Sequence, residues 1–351
     1  MSVDQQKLEA FMGKMVGDMG AAMSAALVML GDHLGLYKAL AQGPATSAEV
    51  AARTGAHERQ VREWLAAQAA SDYIEYDRAT GKFSLSPEQA MVFADEGGPA
   101  FMAGGFEILA SAFIDEPLVA ESFRTGSGLG WHQHCACLFS GTERFFRPGY
   151  NANLVSSWLP SLDGVEARLA AGITVADVGC GHGASTILMA EAYPNSRFIG
   201  FDYHQPSIER ARAAAQEAGV AGRASFEVAQ AKDFPGQDFG LVTIFDALHD
   251  MGDPVGAARH IRQTMAPDAT WMLVEPFAHD ELADNLNPVG RLFYSASTMI
   301  CTPASLSQEV GLGLGAQAGE ARLRGVAEQA GFGHFRRAAE TPFNLVFEVR
   351  A

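Results

Sequence analysis

The chain has 351 residues, 48% hydrophobic and 19% charged, a globular composition long enough for two domains. With 41 acidic against 25 basic residues its formal charge is −16, which disfavours general binding of nucleic acid or anionic membrane. Four cysteines without disulfide-framework spacing (Cys135, Cys137, Cys180, Cys301) and an N-terminus, "MSVDQQKLEAF", lacking a signal peptide's basic start suit a reducing, cytoplasmic setting.

Residues 4–42 read as helical, because Leu8, Met12, Met15, Met19, Met23, Leu27 and Leu30 recur every three or four positions. The stripe reads as core or subunit interface rather than a groove for a hydrophobic ligand. The apolar run 20–30 is much shorter than the ~20 residues of a spanning helix, so no membrane segment is expected.

Residues 43–95 form a unit. "GPATSAEVAARTG" carries a Thr/Ser cap, a short helix and a glycine stop. "AHERQVREWLAAQAASDYI" is an amphipathic helix with Val61, Trp64, Leu65 and Ala69 on one face, and "DYIEYDRATGKFSLS" reads as two strands around a turn. Helix–turn–helix followed by a hairpin is a winged-helix pattern. Residues 46–95 hold five basic side chains against eight acidic ones, so dimerisation or lid-building fits this unit better than contact with phosphates.

Residues 97–170 read as mostly helical and aromatic-rich, broken at Gly104, Gly105, Gly126, Gly128 and Gly130, and suit a pocket wall or interdomain packing. "WHQHCACLF" (131–139) holds His132, His134, Cys135 and Cys137, all competent metal ligands. Their spacing matches no standard zinc pattern, and on a helix the four do not converge without His249 or His279, so no metal is assigned.

From residue 174 strands and helices alternate. "TVADVGCG", "SRFIGFD", "ASFEVAQ", "FGLVTIFDAL" and "TWMLVEP" are strands with helices between them, and "GHFRRAAET" with "FNLVFEVR" is a closing hairpin. Continuous apolar strands joined by helices imply an α/β fold with a parallel, doubly wound sheet. Between strand one and its helix lies Gly179-Cys180-Gly181-His182-Gly183-Ala184. Glycines there allow positive φ and close approach of a ligand, and Asp202 at the end of strand two suits a ribose diol. Alone, the loop also satisfies a loose dinucleotide pattern, which keeps a dinucleotide-dependent oxidoreductase open; the lack of a lysine disfavours a nucleoside-triphosphate site.

"DVGCGHG" resembles the first motif of class I S-adenosylmethionine-dependent methyltransferases, E/D-x-G-x-G-x-G, through Asp177, Gly179, Gly181 and Gly183. "GFD" ending at Asp202 resembles the ribose-binding acid, "AKDFP" (231–235) the adenine-side loop, "FDALHDMGDP" the end of strand four and "LVEP" strand five. "LGLYKALAQGPATSAEVAARTG" with "REWLAAQAASDYIEYD" is similar to the winged-helix dimerisation domain of small-molecule O-methyltransferases and of a largely unassigned bacterial subgroup. The resemblance implies a Rossmann-like seven-stranded methyltransferase sheet behind a winged-helix domain. It divides the chain into 1–95 for dimerisation, 96–165 as helical linker and lid, and 166–351 for S-adenosyl-L-methionine.

It implies cofactor contacts from Asp177, Gly179, Cys180, Gly181, Gly183, Asp202, Tyr203, Lys232, Asp233, Phe234 and Phe245, with Asp233 as amino-group partner and Phe234 packing on the adenine. It also implies a small-molecule methyl acceptor, O- or C-methylation, a homodimer, and substrate contacts from Tyr150, Arg291 and Tyr294, with Ser295 nearby. His249, in "LHDM", resembles the base histidine of plant-type O-methyltransferases, although Met251 replaces their tryptophan; a histidine closing the turn is the other reading. Two further functions stay open: a winged-helix regulator sensing a ligand through the methyltransferase fold, and a C-methyltransferase that enolises a 2-oxo acid with a histidine-bound metal.

Overall fold

A computed structural model describes residues 3–351. They form two compact units: the described residues through Ser111 together with Ser140–Gly149, and Ala112–Phe139 together with Tyr150–Ala351.

In the first unit the Asp4 carboxylate caps α1 (Gln5–His33) by accepting from the N–H groups of Gln6 and Lys7. Gly35, at φ 68°, ends the run and starts α2 (Leu36–Leu40), so the helix expected over 4–42 is two. A capping box of Thr46 and Glu49 opens α3 (Ser47–Thr54), and Gly55 in the left-handed region closes it. α4 (Glu58–Ala70) buries Val61, Trp64 and Leu65 against Val28, Leu36, Leu40 and Val50. The hairpin of β1 (Glu75–Asp77) and β2 (Lys82–Ser84) supplies the wing, and α5 (Pro87–Phe93) follows.

Leu8, Phe11, Met12, Met15, Val16, Met19 and Met23 on α1 are exposed. The Met stripe is therefore not core within the chain. By length and composition alone this 29-residue helix is enough to cross a membrane, which the shorter run 20–30 had argued against. α6 (Phe106–Thr125) and α7 (Ala136–Asn153) contribute residues to both units.

The second unit continues with α8 (Val165–Ala171), β3 (Thr174–Val178), α9 (Ala184–Ala192), β4 (Arg197–Asp202), α10 (Gln205–Glu217), β5 (Ala224–Val228) and β6 (Phe239–Phe245). Then come α11 (Pro254–Thr264), β7 (Met265–Pro276), α12 (Pro288–Ala296), α13 (Thr302–Leu306), α14 (Gly319–Gln329), β8 (His334–Glu340) and β9 (Asn344–Arg350). The seven strands run β5-β4-β3-β6-β7-β9-β8, parallel from β5 to β7, with β9 antiparallel to both its neighbours. This is the expected sheet. Its central strands are apolar on both faces, and Val178, Val242, Ile244 and Leu273 are buried. β3 pairs with β4 on one side and β6 on the other, so strand order reverses there. A crevice outside the carboxyl ends of the strands at such a reversal is where open α/β sheets bind ligands.

Candidate active site

The glycine loop leaves β3 with Gly179, Gly181 and Gly183 at φ 76°, 52° and 82°. A Cβ on Gly183 would sit 2.7 Å from the Phe226 ring, and one on Gly179 2.9 Å from Ala247. Those two positions are closed by packing. Around Gly181 no atom lies within 4 Å of such a Cβ, so its outer face is open to a ligand. Asp177 works from beneath: Oδ2 accepts from Ser185 Oγ at 2.7 Å and Thr186 Oγ1 at 2.5 Å, and Oδ1 from Thr243 Oγ1 at 2.9 Å. Burial raises its pKa, while these hydroxyls oppose the shift. It ties β3 to α9 and β6 and offers no exposed oxygen, being 1% exposed. Cys180 is buried as well.

Asp202, at the end of β4, takes the Gly181 N–H on Oδ2 at 3.0 Å and the His204 N–H on Oδ1 at 2.8 Å. Each oxygen keeps a further lone pair for a hydroxyl donor. Burial raises the Asp202 pKa; the two amides and the nearby His204 and His182 pull it down. Tyr203 beside it is 45% exposed, and the His204 ring stacks on Phe139 at 4.5 Å. The adenine-side loop departs from expectation in part. Phe234 is 1% exposed, packed on Phe201, Phe239 and His260, so it belongs to the core and has no free face for a purine. The Lys232 ammonium pairs with Glu309 at the surface. Asp233 is exposed.

At the carboxyl ends of β6 and β7 lies a buried histidine cluster. His249 Nδ1 meets Glu275 Oε2 at 2.5 Å and its Nε2 lies 3.2 Å from Asp250 Oδ1. Glu275 Oε1 accepts the Leu248 N–H at 2.9 Å, which fixes the carboxylate. Asp250 Oδ2 accepts from Trp131 Nε1 at 2.9 Å. Burial works against a charged His249 ring, but the Asp250 and Glu275 carboxylates outweigh it and hold its pKa well above the ordinary histidine value. The segment after β7 pins this turn: Gln308 Nε2 donates to Asp250 O at 2.9 Å and the Gly315 N–H to His249 O at 3.2 Å.

Next to the cluster, Asp246 is held at φ 49°, a conformation uncommon outside glycine. It accepts from Tyr150 Oη at 2.9 Å and Asn344 Nδ2 at 2.8 Å. Burial first, then the Glu275 charge, push its carboxyl up to about 8. The Tyr150 ring packs on Phe245 at 5.3 Å. The structure thus brings together Tyr150, Phe245 and His249, while Arg291 is exposed and Tyr294 half-buried on α12.

The histidine–cysteine segment does not assemble as a ligand set. The chain bends between a 3-10 turn at Trp131–Gln133 and α7, with Cys135 as the helix cap. His134 Nδ1 meets Asp115 Oδ2 at 2.8 Å, and the sulfurs of Cys135 and Cys137 are joined as a disulfide, which the sequence reading did not expect.

Glu275, Asp246, Asn344, Trp131 and Cys301 went unassigned. Glu275 carried a signal, since an acid ending a buried strand beside the His249 turn has few other reasons to be there. Cys301, inside the excursion after β7, carried none.

Residues 169–329 match the family described as Methyltransferase domain, and residues 22–94 the family described as Rv2258c-like winged HTH domain. The chain therefore carries a methyltransferase domain preceded by a winged HTH domain. It is 36% identical over 89 residues to a tRNA (guanine-N(7)-)-methyltransferase of Sodalis glossinidius, covering 24% of this chain and 35% of that one. It is 34% identical over 101 residues to 27-O-demethylrifamycin SV methyltransferase of Amycolatopsis mediterranei, covering 28% and 37%. These matches span about a third of each relative's length. In structure it is similar to human N-acetylserotonin methyltransferase in complex with SAM, with a TM-score of 0.70, 17% identity, and 99% and 98% of the two chains covered.

Proposed function

We propose that this chain, with its methyltransferase domain behind a winged HTH domain, is an S-adenosyl-L-methionine-dependent methyltransferase of a small-molecule acceptor. The observation that carries the reading is the Asp202 carboxylate, fixed by the Gly181 and His204 amides beside the open face of Gly181. That arrangement suits an adenosyl ribose, with the methionine part over the glycine loop. The loop has no lysine, which disfavours a nucleoside-triphosphate site.

The acceptor's lone pair displaces the methyl group in line, the C–S bond breaks, and S-adenosylhomocysteine leaves. Most of the rate enhancement is positioning of the two partners within ~3–3.5 Å. The acceptor's proton, from oxygen or from an activated carbon, passes to the cluster of His249, Asp250 and Glu275. Tyr150 and Phe245 flank that position.

The small-molecule reading is supported by the whole-length likeness to the N-acetylserotonin enzyme and by the rifamycin relative. The tRNA relative matches over about a third of its length, and the winged unit's acidic excess disfavours nucleic acid. The exposed apolar stripe on α1 is read as the contact with a second copy.

Titration of the purified protein with S-adenosylmethionine, S-adenosylhomocysteine and NAD tests the reading. Binding of the first two with no NAD binding is expected; NAD binding alone overturns it.

A further inference from the structure

We infer that His249, Asp250 and Cys301 form a site for a divalent transition-metal ion beside the methyl-transfer position. The three residues offer nitrogen, oxygen and sulfur donors that all lie within 4.8 Å of one another, and all three are buried. Such a mixed set suits a borderline cation of the zinc or ferrous type, not magnesium or calcium.

The surroundings are built as metal sites are built. A histidine that binds metal through Nε2 usually gives its other N–H to a carboxylate, and His249 Nδ1 faces Glu275 Oε2 at 2.5 Å. A ligating carboxylate is itself hydrogen-bonded, and Asp250 Oδ2 accepts from Trp131 Nε1 at 2.9 Å. That leaves Asp250 Oδ1 facing inward. It is buried and accepts no hydrogen bond, although His249 Nε2 is 3.2 Å away. A buried carboxylate oxygen without a donor is costly, and a cation between it, Nε2 and the sulfur removes that cost.

The other trio of ligand-type side chains among the described residues, Asp32, His33 and Glu107, does not compete. Arg144 Nη1 already sits 2.7 Å from Asp32 and 2.6 Å from Glu107.

Three protein ligands leave positions open for water or for an oxygen of the acceptor. On binding, the His249 ring gives up its Nε2 proton and Cys301 its thiol proton, both released to solvent, and the imidazole nitrogen and the thiolate coordinate. The ion then acts as a Lewis acid: a hydroxyl or carbonyl oxygen of the acceptor binds it and the adjacent O–H or C–H becomes more acidic. The inference narrows the acceptor to a molecule presenting a metal-binding oxygen, and makes His249 a ligand rather than the free base. It rests on the proposed methyl transfer only for this catalytic role, not for the site itself.

Cobalt(II) added to chelator-treated protein tests it. Expected is one ion per chain, with ligand-field bands and a thiolate-to-cobalt charge-transfer band in the near ultraviolet. C301S loses the charge-transfer band, and D250N weakens cobalt binding at least tenfold, both with unchanged circular dichroism. Absence of the band in the wild type, or its persistence in C301S, overturns the site. Calorimetry with S-adenosylmethionine on the same chelated protein separates the two readings. Cofactor binding without cobalt binding removes the metal and leaves the methyltransferase; cobalt binding without cofactor binding does the reverse.

Discussion

The backbone N–H of Gly181 donates to the Asp202 carboxylate at 3.0 Å, so the apex of the glycine loop and the end of β4 are one hydrogen-bonded unit. Whatever binds the open face of Gly181 meets an acid already oriented by that amide. Asp202→Ala is expected to weaken S-adenosylmethionine binding by about 1.5–3 kcal/mol, the range for a hydrogen bond to a charged group. The binding form is the carboxylate, and burial raises its pKa. On acidification through that raised pKa, affinity therefore falls about tenfold per pH unit, beginning above the ordinary carboxylate range. Calorimetry across pH checks this; a flat affinity in wild type, or an unchanged dissociation constant in Asp202→Ala, removes Asp202 from the site.

Two glycines in the same loop separate packing from ligand space. Gly181→Ala places a Cβ in open space at φ 52°, so its stability cost is the left-handed backbone, about 1–2 kcal/mol. Gly183→Ala adds a contact 2.7 Å from Phe226 at φ 82° and is expected to cost clearly more. Gly181→Ala should lose cofactor affinity out of proportion to its stability. Thermal melts paired with cofactor titrations decide; equal affinity in wild type and Gly181→Ala means the ligand does not approach that face.

Glu275→Gln keeps an oxygen for the Leu248 N–H but replaces the carboxylate that faces His249 Nδ1. Turnover is expected to fall about tenfold to a hundredfold, the usual effect of losing such a supporting partner. Cofactor affinity should not change. If kcat and the dissociation constant both stay at wild-type values, the Glu275–His249 pair has no part in the reaction.

Much of this is legible in the amino-acid sequence. Alternating apolar strands and helices specify a parallel sheet, and Asp177 and the three glycines specify where the sheet opens, because each is a local rule. The departures have tertiary causes. Phe234 follows a strand and by sequence resembles a purine platform, but the core formed by Phe201, Phe239 and His260 claims its ring. Lys232 turns to Glu309, which lies far along the chain. Trp131 and Cys301 reach Asp250 and His249 from a segment before the sheet and from the excursion between β7 and β8, a convergence no sequence period records. The α1 stripe has the period of a core helix, yet among the described residues nothing buries it.

Arg144 is the positive centre of the first unit. Its guanidinium meets Asp32 at 2.7 Å, Glu107 at 2.6 Å and Glu96 at 3.2 Å. Its side chain is 16% exposed, and those of Asp32 and Glu107 are 7% and 11% exposed, so solvent screens the two short contacts weakly. Arg144→Met leaves two buried carboxylates uncompensated and is expected to lower the stability of this unit by about 3–5 kcal/mol. Arg144→Lys restores the charge without the fork and should recover only part of that. Trp64 lies in the core of the same unit with its indole N–H on Leu27 O at 2.8 Å, and its fluorescence is one of four tryptophan signals in the melt. Added zinc or manganese should not rescue Arg144→Met. Rescue would show that Asp32, His33 and Glu107 can hold a cation once Arg144 is gone; a melting curve unchanged from wild type would show that the pairs with Arg144 do not stabilise the fold.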